Sequence, residues 1–543
     1  MPVIKIESIL GGQASTTHFA GKDQFRASLG IDPRQSIDEN SFVPPVIGQI
    51  SSGLLRPVSC LLVGTTIAGP IKWFINEPKN GATYAYNSVG SAYTVTSETI
   101  TELADGGTLS NSTGNGMVYY DNYIYFAKET DIARYGPLNG VKEFTGTYWT
   151  GTLGKAALVS TIYPQHDAAN MFHSNHYLHR HSDGRLYIAD VVDNKGTIHY
   201  IETTKTVVEG DTNNGSTANK LQFGYGLWPM CMETYGNDLV IALIENLDNA
   251  IGVANGRNAK IAFWDTTSTN FNKIIWVEFP DQIITAIKNV NGVLYVISGS
   301  QSGEGSSFRL SRFVGGYSFE EVYYTPSGMG ELPLAGAIDV APHRISIGVN
   351  TSIPEYAPCV FSFDIQGVSK GLFNTMRGFV DSDASQTAIT ALSYAFVRQK
   401  ALAPVIAVTS DNNHFNVNVQ INEVIGTSSR KYNNAPSVWW SQLYRIGQPF
   451  KITKIRIPLA QAIATNMIVT PKIYTDEGAG TIYTLTAIND TNDSGKFNIV
   501  RRTDSNSQPI LGQHNFWLEL RWTGAALCTV GLPISIEFEL LDD

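Results

Sequence analysis

The 543-residue sequence contains little cysteine and little charge. Its four cysteines are far apart and form no CxxC pair, which argues against a disulfide framework and against a zinc site. We therefore expect inert thiols at Cys60, Cys231, Cys359 and Cys528. Charged residues make up 16% of the chain, which is low for a soluble globular protein and suits a surface largely buried in an assembly.

Two further features are missing: a run of basic residues and a long apolar segment. The formal net charge is -10 and no Lys/Arg cluster occurs, so the chain is not expected to wrap nucleic acid, although an acidic lumen that lets DNA slide past stays open. Lys5 and Glu7 interrupt the apolar core that a signal peptide would need. Arg56 and Pro57 interrupt the nearby apolar stretch, which is shorter than the roughly 20 residues of a membrane span. We expect a chain made in the cytoplasm that does not insert into membranes.

Glycine and aromatic residues are abundant instead. The chain has 49 Gly, 25 Tyr and 24 Phe, and 43% of its residues are hydrophobic. Glycine permits tight turns and aromatic side chains suit the pleated surface of a sheet. The composition therefore predicts a folded protein with many short strands.

A hairpin pattern recurs about every 50 residues from residue 50 onward. An apolar segment leads into a turn rich in Asn, Gly or Asp, and an alternating strand follows. Such turns are strong hairpin signals because both central residues of a type I′ turn need positive φ. The turns are Lys79-Asn80-Gly81, Asp121-Asn122, Ser182-Asp183-Gly184, Gly236-Asn237, Asn291-Gly292 and Pro342-His343, with a weaker seventh copy from Ile389 to Val408.

Most copies continue with a third strand and some with a fourth. Four strands in about 40 to 60 residues is typical of a β-propeller blade, so residues 51–428 are predicted to form a propeller of about seven blades. Unrelated hairpins within one large sandwich are the alternative.

The two ends of the chain differ from this repeat. Residues 429–543 contain about seven alternating segments, which predict a β-sandwich with Trp439, Trp440, Trp517 and Trp522 as core candidates. Residues 1–50 lack a long periodic run and are interpreted as an extended N-terminal arm, which has too few apolar residues to be ordered alone and must lie on its own propeller or on a neighbouring chain. The predicted fold class is all-β: arm, propeller and C-terminal β-sandwich.

Catalytic motifs are not found. The nearest match to a sialidase box, Ser182-Asp183-Gly184, lacks the Thr-Trp and does not recur, and no G-x-S-x-G elbow, P-loop or H-E-x-x-H is present. The acidic pairs Glu320-Glu321 and Asp542-Asp543 are interpreted as solvated charges. We predict a protein that is not an enzyme, with no catalytic, cofactor-binding or metal-binding residues and no cofactor.

Two segments nevertheless resemble metal sites. His173, His176, His179 and His181 lie within nine residues, and His179 and His181 would point to one face of a strand, as two ligands of one metal would. No Cys or carboxylate completes a ligand set, so ordinary strand histidines are favoured. The loop Glu209 to Gly215 has a calcium-loop composition but lacks the closing Glu, so a connecting loop is favoured.

Several segments resemble a family of uncharacterised proteins encoded by tailed phages. They are GNGMVYYDNYIYFA, TTKTVVEGDTNNGS, NVNGVLYVISG, VGGYSFEEV, IGQPFKITKIRIPL and ATNMIVTPKIYTD, and the resemblance covers most of the chain. The order of arm, propeller and sandwich also resembles the tail nozzle, or tail hub, of short-tailed phages. That resemblance implies a homo-oligomeric ring, with six copies expected, in the tail of the virion. The ring would extend the DNA exit channel, contact the adaptor and portal, and anchor fibres, with DNA passing without sequence-specific binding.

Two alternatives remain at this stage. The chain would be a receptor-binding or fibre protein if the C-terminal sandwich is a recognition domain. It would be a polysaccharide-degrading propeller enzyme if two carboxylates converge in a pocket.

Overall fold

The computed structural model describes thirty segments of the chain. They are residues 2–7, 12–13, 24–29, 31–32, 55–57, 59–64, 67–78, 81–95, 99–103, 116–127, 132–145, 176–192, 195–201, 221–245, 258–271, 274–302, 305–325, 332–341, 344–349, 359–364, 372–377, 386–397, 401–410, 415–421, 430–431, 437–460, 462–463, 465–476, 480–524 and 528–541.

Six four-stranded antiparallel sheets follow one another along the chain, and in each of them every strand pairs with the next. We number them propeller sheets 1 to 6. Their strands are Ile71–Asn76, Thr83–Asn87, Ala92–Val95 and Ile100–Glu102; Met117–Tyr120, Tyr123–Ala127, Ile132–Gly136 and Glu143–Thr145; Leu178–Arg180, Leu186–Val192, Lys195–Ile201 and Leu221–Tyr225; Leu227–Tyr235, Asp238–Glu245, Lys260–Trp264 and Ile275–Glu278; Ile283–Val290, Val293–Ser302, Gly305–Gly315 and Ser318–Tyr324; Ile338–Ala341, Arg344–Val349, Cys359–Asp364 and Leu372–Arg377.

Propeller sheet 7 combines strands from both ends of the repeat region. The strand Ser59–Gly64, which precedes sheet 1, pairs antiparallel with Phe415–Ile421, and Arg430–Lys431 pairs with its other edge. The remaining strands of the sheet are Gln386–Val397 and Ala401–Ser410. Hydrogen bonds therefore tie the segment before the first sheet to the last one.

The first strands of these sheets contact one another in sequence, and the first strand of sheet 7 contacts that of sheet 1. A ring of antiparallel sheets built in this way is a β-propeller, so the predicted propeller fold is confirmed. Apolar clusters fill the spaces between sheets. One of them joins residues of sheet 1 (Ile71, Phe74) to residues of sheet 7 (Ala391, Ala407) and so lies where the ring closes.

The predicted turn chemistry is present at several hairpins. Asp121 and Asn122 both have positive φ, and so do Asn291 and Gly292, as a type I′ turn requires. At Gly236-Asn237 only Gly236 has positive φ. These turns place the end of every first strand at the same end of the propeller axis, because the sheets have the same strand order.

The C-terminal residues form two further sheets that share one core, together with parts of the N-terminal segment. Sandwich sheet A contains Val3–Ile6, Ile534–Leu540, Phe450–Pro458, Asn498–Arg501 and Ile510–Gly512. Sandwich sheet B contains Ala27–Leu29, Ser437–Trp440, Asn515–Gly524, Met467–Thr475, Ile482–Thr484 and Tyr444–Arg445. Buried residues of both sheets meet in one cluster, among them Ile452 and Ile536 from sheet A and Leu518 and Ile473 from sheet B.

The N-terminal segment is built into this sandwich. Val3–Ile6 pairs with Ile534–Leu540 and Ala27–Leu29 pairs with Ser437–Trp440, so the segment supplies an edge strand to each sheet. Two short pairs complete it: Gly12–Gln13 with Gln24–Phe25, and Ile31–Asp32 with Arg56–Pro57. Within the described residues, the arm therefore lies on its own chain and is not separate from the C-terminal sheets.

The four tryptophans expected in the sandwich core divide between two faces. Trp439 and Trp522 are buried in the shared core. Trp440 and Trp517 lie on the outer face of sheet B, so their assignment to the core was wrong. Successive residues of a strand point to opposite faces of the sheet, so the neighbours Trp439 and Trp440 lie on different faces. Trp517 and Trp522 are an odd number of positions apart in one strand, so they also lie on different faces.

Helical structure in the described segments is limited to short turns, including the 3-10 helix Ala335–Ala337 and the α-helix Asp490–Asp493. No helix among the described residues is long and apolar enough to cross a membrane. The described thiols of Cys231 and Cys528 are free and buried, and burial raises the pKa of each to about 12.

Candidate functional site on the propeller axis

Four successive propeller sheets carry an ionisable residue at the same position of their first strand. In each of these sheets, the ionisable residue lies opposite a residue of the second strand, namely the residue directly after the first Leu or Ile of that strand. The pairs in sheets 3 to 6 are His179 with Tyr187, Glu233 with Val240, Lys288 with Tyr295 and Asp339 with Ser346. First strands surround the axis of a propeller, so these residues lie near one end of it. We call them the axial quartet.

Glu233 is the centre of this quartet. Its Oε1 accepts a hydrogen bond from the backbone N–H of Thr234 at 2.9 Å and lies 3.9 Å from Nε2 of His179. Burial raises the pKa of Glu233 to about 7; Lys288 acts in the opposite direction, and Asp339 adds to the increase. A carboxyl group with this pKa is partly protonated at neutral pH, so it can donate as well as accept a hydrogen bond.

Lys288 lies near three ionisable neighbours, Cys231, Glu233 and His179, but forms no ion pair among the described residues. It lowers the pKa of both Glu233 and His179 through its charge. Among the described residues, however, no carboxylate oxygen lies within 4.0 Å of its Nζ, and Nζ donates no hydrogen bond. Lys288 therefore acts on these neighbours through its charge and not through a direct ion pair with a described carboxylate.

Asp339 is fixed by the sheet that follows it. Its Oδ2 accepts hydrogen bonds from Ser393 Oγ and from the backbone N–H of Tyr394, each at 2.9 Å. Asn76 Nδ2 donates to the same Ser393 Oγ at 3.1 Å. These contacts connect sheets 6, 7 and 1, and they hold the Asp339 carboxylate while leaving Oδ1 without a hydrogen bond among the described residues.

Aromatic residues meet across the ring beside the quartet. The rings of Trp73 in sheet 1 and Tyr177 at the start of sheet 3 are 5.7 Å apart at 80°, although sheet 2 lies between them in the ring. Burial, followed by the charges of Cys231, Glu233 and Asp339, raises the pKa of Tyr177 well above its usual range. The ring is therefore narrow enough here for side chains to meet across its axis.

The backbone at Gly336, just before sheet 6, lies very close to the backbone of sheet 1 at Lys72. This residue precedes sheet 6, yet a Cβ placed on it would lie 2.0 Å from the carbonyl oxygen of Lys72 and 3.1 Å from the Trp73 ring. Only glycine tolerates so close an approach of two backbones.

The predicted histidine cluster separates into two groups. Nε2 of His176 lies 3.0 Å from one oxygen of Asp190, and Nε2 of His199 lies 3.3 Å from the other. Burial alone would raise the pKa of Asp190, but its hydrogen bonds to these two histidines hold it below its usual value. His179 and His181 instead both contact Oγ1 of Thr234, at 2.8 and 3.0 Å.

No group of three His, Cys, Asp or Glu side chains suited to a metal ion occurs among the described residues. Burial, then His181 and Lys288, lowers the pKa of His179 to about 3, so this imidazole is neutral at physiological pH. His173 and the loop from Glu209 to Gly215 lie outside the described residues.

The acidic residues that resembled catalytic motifs have structural partners. Asp183 accepts a hydrogen bond from the Tyr187 hydroxyl at 2.6 Å and caps its own turn. Glu320 and Glu321 pair with Arg312 and Arg309 across the outer strands of sheet 5. Asp542 and Asp543 lie outside the described residues.

The outer face of sandwich sheet B carries a second polar cluster, centred on the buried Glu519. Its Oε2 accepts from the Tyr474 hydroxyl at 2.6 Å and from Trp440 Nε1 at 3.1 Å, and its Oε1 accepts from Arg521 Nε at 2.8 Å. Beside it, the ring of Trp517 stacks on Tyr474 at 4.9 Å.

On its sequence, the chain matches no protein-family model and no curated protein. Three solved structures are similar in shape. The β-propeller domain of Cps50 (Swd1) from Myceliophteria thermophila is 8% identical, with a TM-score of 0.40, and the match covers 67% of this chain and 99% of that one. The WD40 domain of Pan2 from Neurospora crassa is 10% identical, with a TM-score of 0.37, and the match covers 68% of this chain and 98% of that domain.

The N-terminal domain of Nup159 is the third; it is 10% identical with a TM-score of 0.36, and the match covers 73% of this chain and 100% of that domain. Similarities this distant reach no further than the fold, and they leave the resemblance to a phage tail family as a prediction. The sheet order and the ring of first-strand contacts in the chain itself carry the β-propeller assignment.

Proposed function

We propose that the chain is a structural subunit of a phage tail: the nozzle, or hub, ring that extends the DNA exit channel and anchors fibres. In this proposal it is not an enzyme, it acts as a homo-oligomer of six copies, and it contacts the adaptor, the portal and the fibres. It is made in the host cytoplasm and ends in the tail of the virion.

The distribution of charge is the observation that carries this proposal. Residues 51–428 contain 33 Asp and Glu against 23 Lys and Arg, whereas the rest of the chain is balanced, with 15 of each sign. An acidic wall repels phosphate and lets DNA pass without binding. The net charge of -10 therefore resides in the propeller, which is the part proposed to border the channel.

The propeller axis itself is too narrow for a duplex. Trp73 and Tyr177 meet across it, and Gly336 lies against the backbone of Lys72. A conduit for DNA therefore has to form between several copies of the chain, and this requirement supports a ring.

Apolar side chains on the outer rim of the propeller suit contacts within such a ring. Ile275 and Trp276, on the outer strand of sheet 4, are 46% and 45% exposed, and Tyr225, on the outer strand of sheet 3, is 55% exposed. Outer strands also have unpaired backbone groups along one edge, and exposed apolar edges are typical of surfaces covered by a partner.

Electron microscopy of the assembled particle tests this proposal. We expect six copies in a ring on the tail axis, and we expect purified protein to leave duplex DNA unshifted on a native gel at physiological salt. Protein that remains monomeric and absent from virions would contradict the proposal.

The outer face of sandwich sheet B favours a second candidate function, receptor or fibre binding through the sandwich. Arg26 lies 4.8 Å over the ring of Trp517, which stacks on Tyr474, and partly exposed Trp, Tyr and Arg side chains dominate binding interfaces. An antibody to residues 437–541 that blocks adsorption, combined with normal assembly of particles lacking that region, would support this second candidate over the first.

A further inference from the structure

Two surfaces of the chain have opposite charge, and both expose apolar side chains. One is the outer face of sandwich sheet B, and the other is the end of the propeller at which the first strands end, which we call the turn end. We propose that the outer face of sheet B in one copy docks on the turn end of the propeller in a second copy. This inference rests on the proposed homo-oligomer and names the two surfaces that would join its copies.

The outer face of sheet B is basic. Residues that lie opposite each other in neighbouring strands point to the same face of a sheet, so the strand pairing assigns each charged side chain to a face. Glu519 is the one acidic residue in the described strands of sheet B, and its side chain is 1% exposed. Four cations lie on the same face or beside it: Arg26, Arg445, Lys472 and Arg521. In a chain with a net charge of -10, this face therefore has the opposite sign.

Two exposed side chains of this face are open to a partner. Arg445 lies opposite Asn515, is exposed, and forms no ion pair or side-chain hydrogen bond with a described residue. Ile482 lies opposite Tyr474 and is 55% exposed. Neither contributes to the contacts around Glu519, so both can be exchanged without disturbing that cluster.

The aromatic side chains of this face favour an acidic surface over a flat ligand. Arg26 lies 4.8 Å over the ring of Trp517, and Tyr474 stacks on the same ring at 4.9 Å and 7°. In the strand order of sheet B, Arg26 and Tyr474 lie on opposite sides of the strand that holds Trp517, so they cover opposite faces of the indole. The ring edges remain for a partner, and aromatic edges carry a positive partial charge.

The turn end of the propeller is acidic in sheets 2 to 4. Successive strands run in opposite directions, so the turns after the first and the third strand lie at the same end of each sheet. Among the described residues of these turns and the strand residues next to them, carboxylates outnumber cations by five to three. The carboxylates are Asp121, Glu143, Asp183, Asp238 and Asp265, and the cations are Lys142, Arg180 and Arg185. Burial, followed by the charge of Asp265, raises the pKa of Asp238, so these two carboxyl groups lie near each other.

Apolar side chains are exposed at the same end. Val141, after the third strand of sheet 2, is 77% exposed. Val314 and Tyr317, at the corresponding turn of sheet 5, are 51% and 44% exposed. Exposed apolar groups beside charged ones are typical of surfaces that a partner covers, and Ile482 on sheet B offers matching chemistry.

The proposed contact joins two different surfaces, so every copy keeps one surface of each kind for a further neighbour. Such head-to-tail contacts produce a closed ring when the rotation between copies closes, and a filament otherwise. The contact is therefore compatible with the proposed ring.

Sedimentation velocity of the full chain tests the contact. We expect the unchanged chain to associate at about 100 µM in about 0.05 M NaCl and at least about tenfold more weakly in about 0.5 M NaCl, because salt screens complementary charges. The face variant, Arg445→Glu with Ile482→Glu, should weaken association in low salt by at least about tenfold. The end variant, Val141→Lys with Val314→Lys, should weaken it by a similar factor.

A mixture of the two variants gives the sharpest result. The end variant keeps its sandwich face and the face variant keeps its turn end, so one intact contact can form between them. We expect each variant alone to be largely monomeric and an equimolar mixture to form dimers that do not grow further. Mixing would not restore a contact between two like surfaces.

Val3→Glu with Lys5→Glu is the matched control. Both residues are exposed on the outer face of sandwich sheet A, and the two changes alter the charge by the same amount as the face variant does. This variant should associate as the unchanged chain does.

The contact is wrong if the unchanged chain stays monomeric in low salt, if either variant associates normally, or if the mixture forms no dimer. A ring of the chain in virions, together with normal association of the variants, would overturn the contact and leave the proposed function standing. Absence of the chain from virions would contradict the proposed function instead. A face variant that associates normally but abolishes adsorption would assign this face to receptor binding and overturn the contact.

Discussion

Glu233 in the propeller and Glu519 in the sandwich are both shielded carboxyl groups, but their surroundings differ. Tyr474, Trp440 and Arg521 all donate to the carboxylate of Glu519, which is 1% exposed. Glu233 accepts from the backbone N–H groups of Thr234 and Asn289, and among the described residues it forms no ion pair with the nearby ammonium of Lys288. The two carboxyl groups therefore differ in their partners: side chains donate to Glu519, whereas backbone N–H groups donate to Glu233, and burial raises the pKa of Glu233 to about 7.

The largest effect that separates the two sites should follow from Glu519→Ala. Removing the carboxylate leaves Arg521, Tyr474 and Trp440 without their shared acceptor, so we expect a loss of about 3–5 kcal/mol in the free energy of unfolding. Urea denaturation of the full chain measures it. A loss below 1 kcal/mol would show that Glu519 is not the centre of its cluster.

Lys72 extends the comparison to a buried cation that forms no ion pair within the described segments. Burial lowers its pKa to about 7, so the unfolded chain binds this proton more tightly than the folded one between about pH 7 and 10.5. The charged form of Lys72 therefore destabilises the folded chain below about pH 7, and the free energy of unfolding should rise as the pH increases from about 7 to 10.5. Lys72→Met should raise the free energy of unfolding at pH 6 by about 2–4 kcal/mol, with the gain vanishing above about pH 10.5.

Thermal unfolding of both proteins between pH 6 and 10 measures this difference. Equal slopes of stability against pH for the two proteins would contradict a buried, unpaired Lys72.

Glu233→Gln should change the free energy of unfolding less than Glu519→Ala does, and it should stabilise the chain instead of destabilising it. The folded-state pKa of Glu233, about 7, exceeds its ordinary value of 4.5, so its favourable contribution is complete below pH 4.5 and is lost as pH rises through 7. We expect Glu233→Gln to be neutral near pH 5 and to stabilise the chain by about 1 kcal/mol at pH 8. Denaturation at both pH values checks it, and a clear destabilisation at pH 8 would mean that the ionised form is paired.

The smallest effect should come from an exposed ion pair of the sandwich. Lys451 lies 3.0 Å from Glu539 on sheet A, and their side chains are 42% and 37% exposed. Glu539→Ala should change the free energy of unfolding by no more than about 0.5 kcal/mol. It is therefore the matched control for Glu519→Ala in the same domain, and the contrast between the two variants isolates burial from charge.

The sequence predicts the parts of this fold that depend on neighbouring residues. Asp121-Asn122 and Asn291-Gly292 specify their turns locally, and the alternating segments Phe450 to Ile457 and Ile534 to Leu540 fall on observed strands. The pairing of Ser59–Gly64 with sheet 7 is not predictable in this way, because register between distant strands depends on packing that no local pattern contains.

The axial quartet was missed, although the sequence contains a signal for it. His179, Glu233, Lys288 and Asp339 recur about every 50 residues, seven residues (His179) or six residues (the other three) before a Leu or Ile of the next strand. Aligning the copies by their second strands reveals the position. That alignment still does not predict how close the four side chains lie to one another, because the distance between side chains depends on how tightly the ring closes.

The first 64 residues have a particular place in the order of synthesis. Val3 pairs with Glu537 and Ser59 pairs with Ile421, so each of these strands is made several hundred residues before its partner. Contacts this distant in sequence form slowly, since a very long loop must close first. The propeller edge at Ser59–Gly64 thus remains open on the ribosome until Phe415–Ile421 has emerged, and Val3–Ile6 remains without its partner strand until Ile534–Leu540 has emerged.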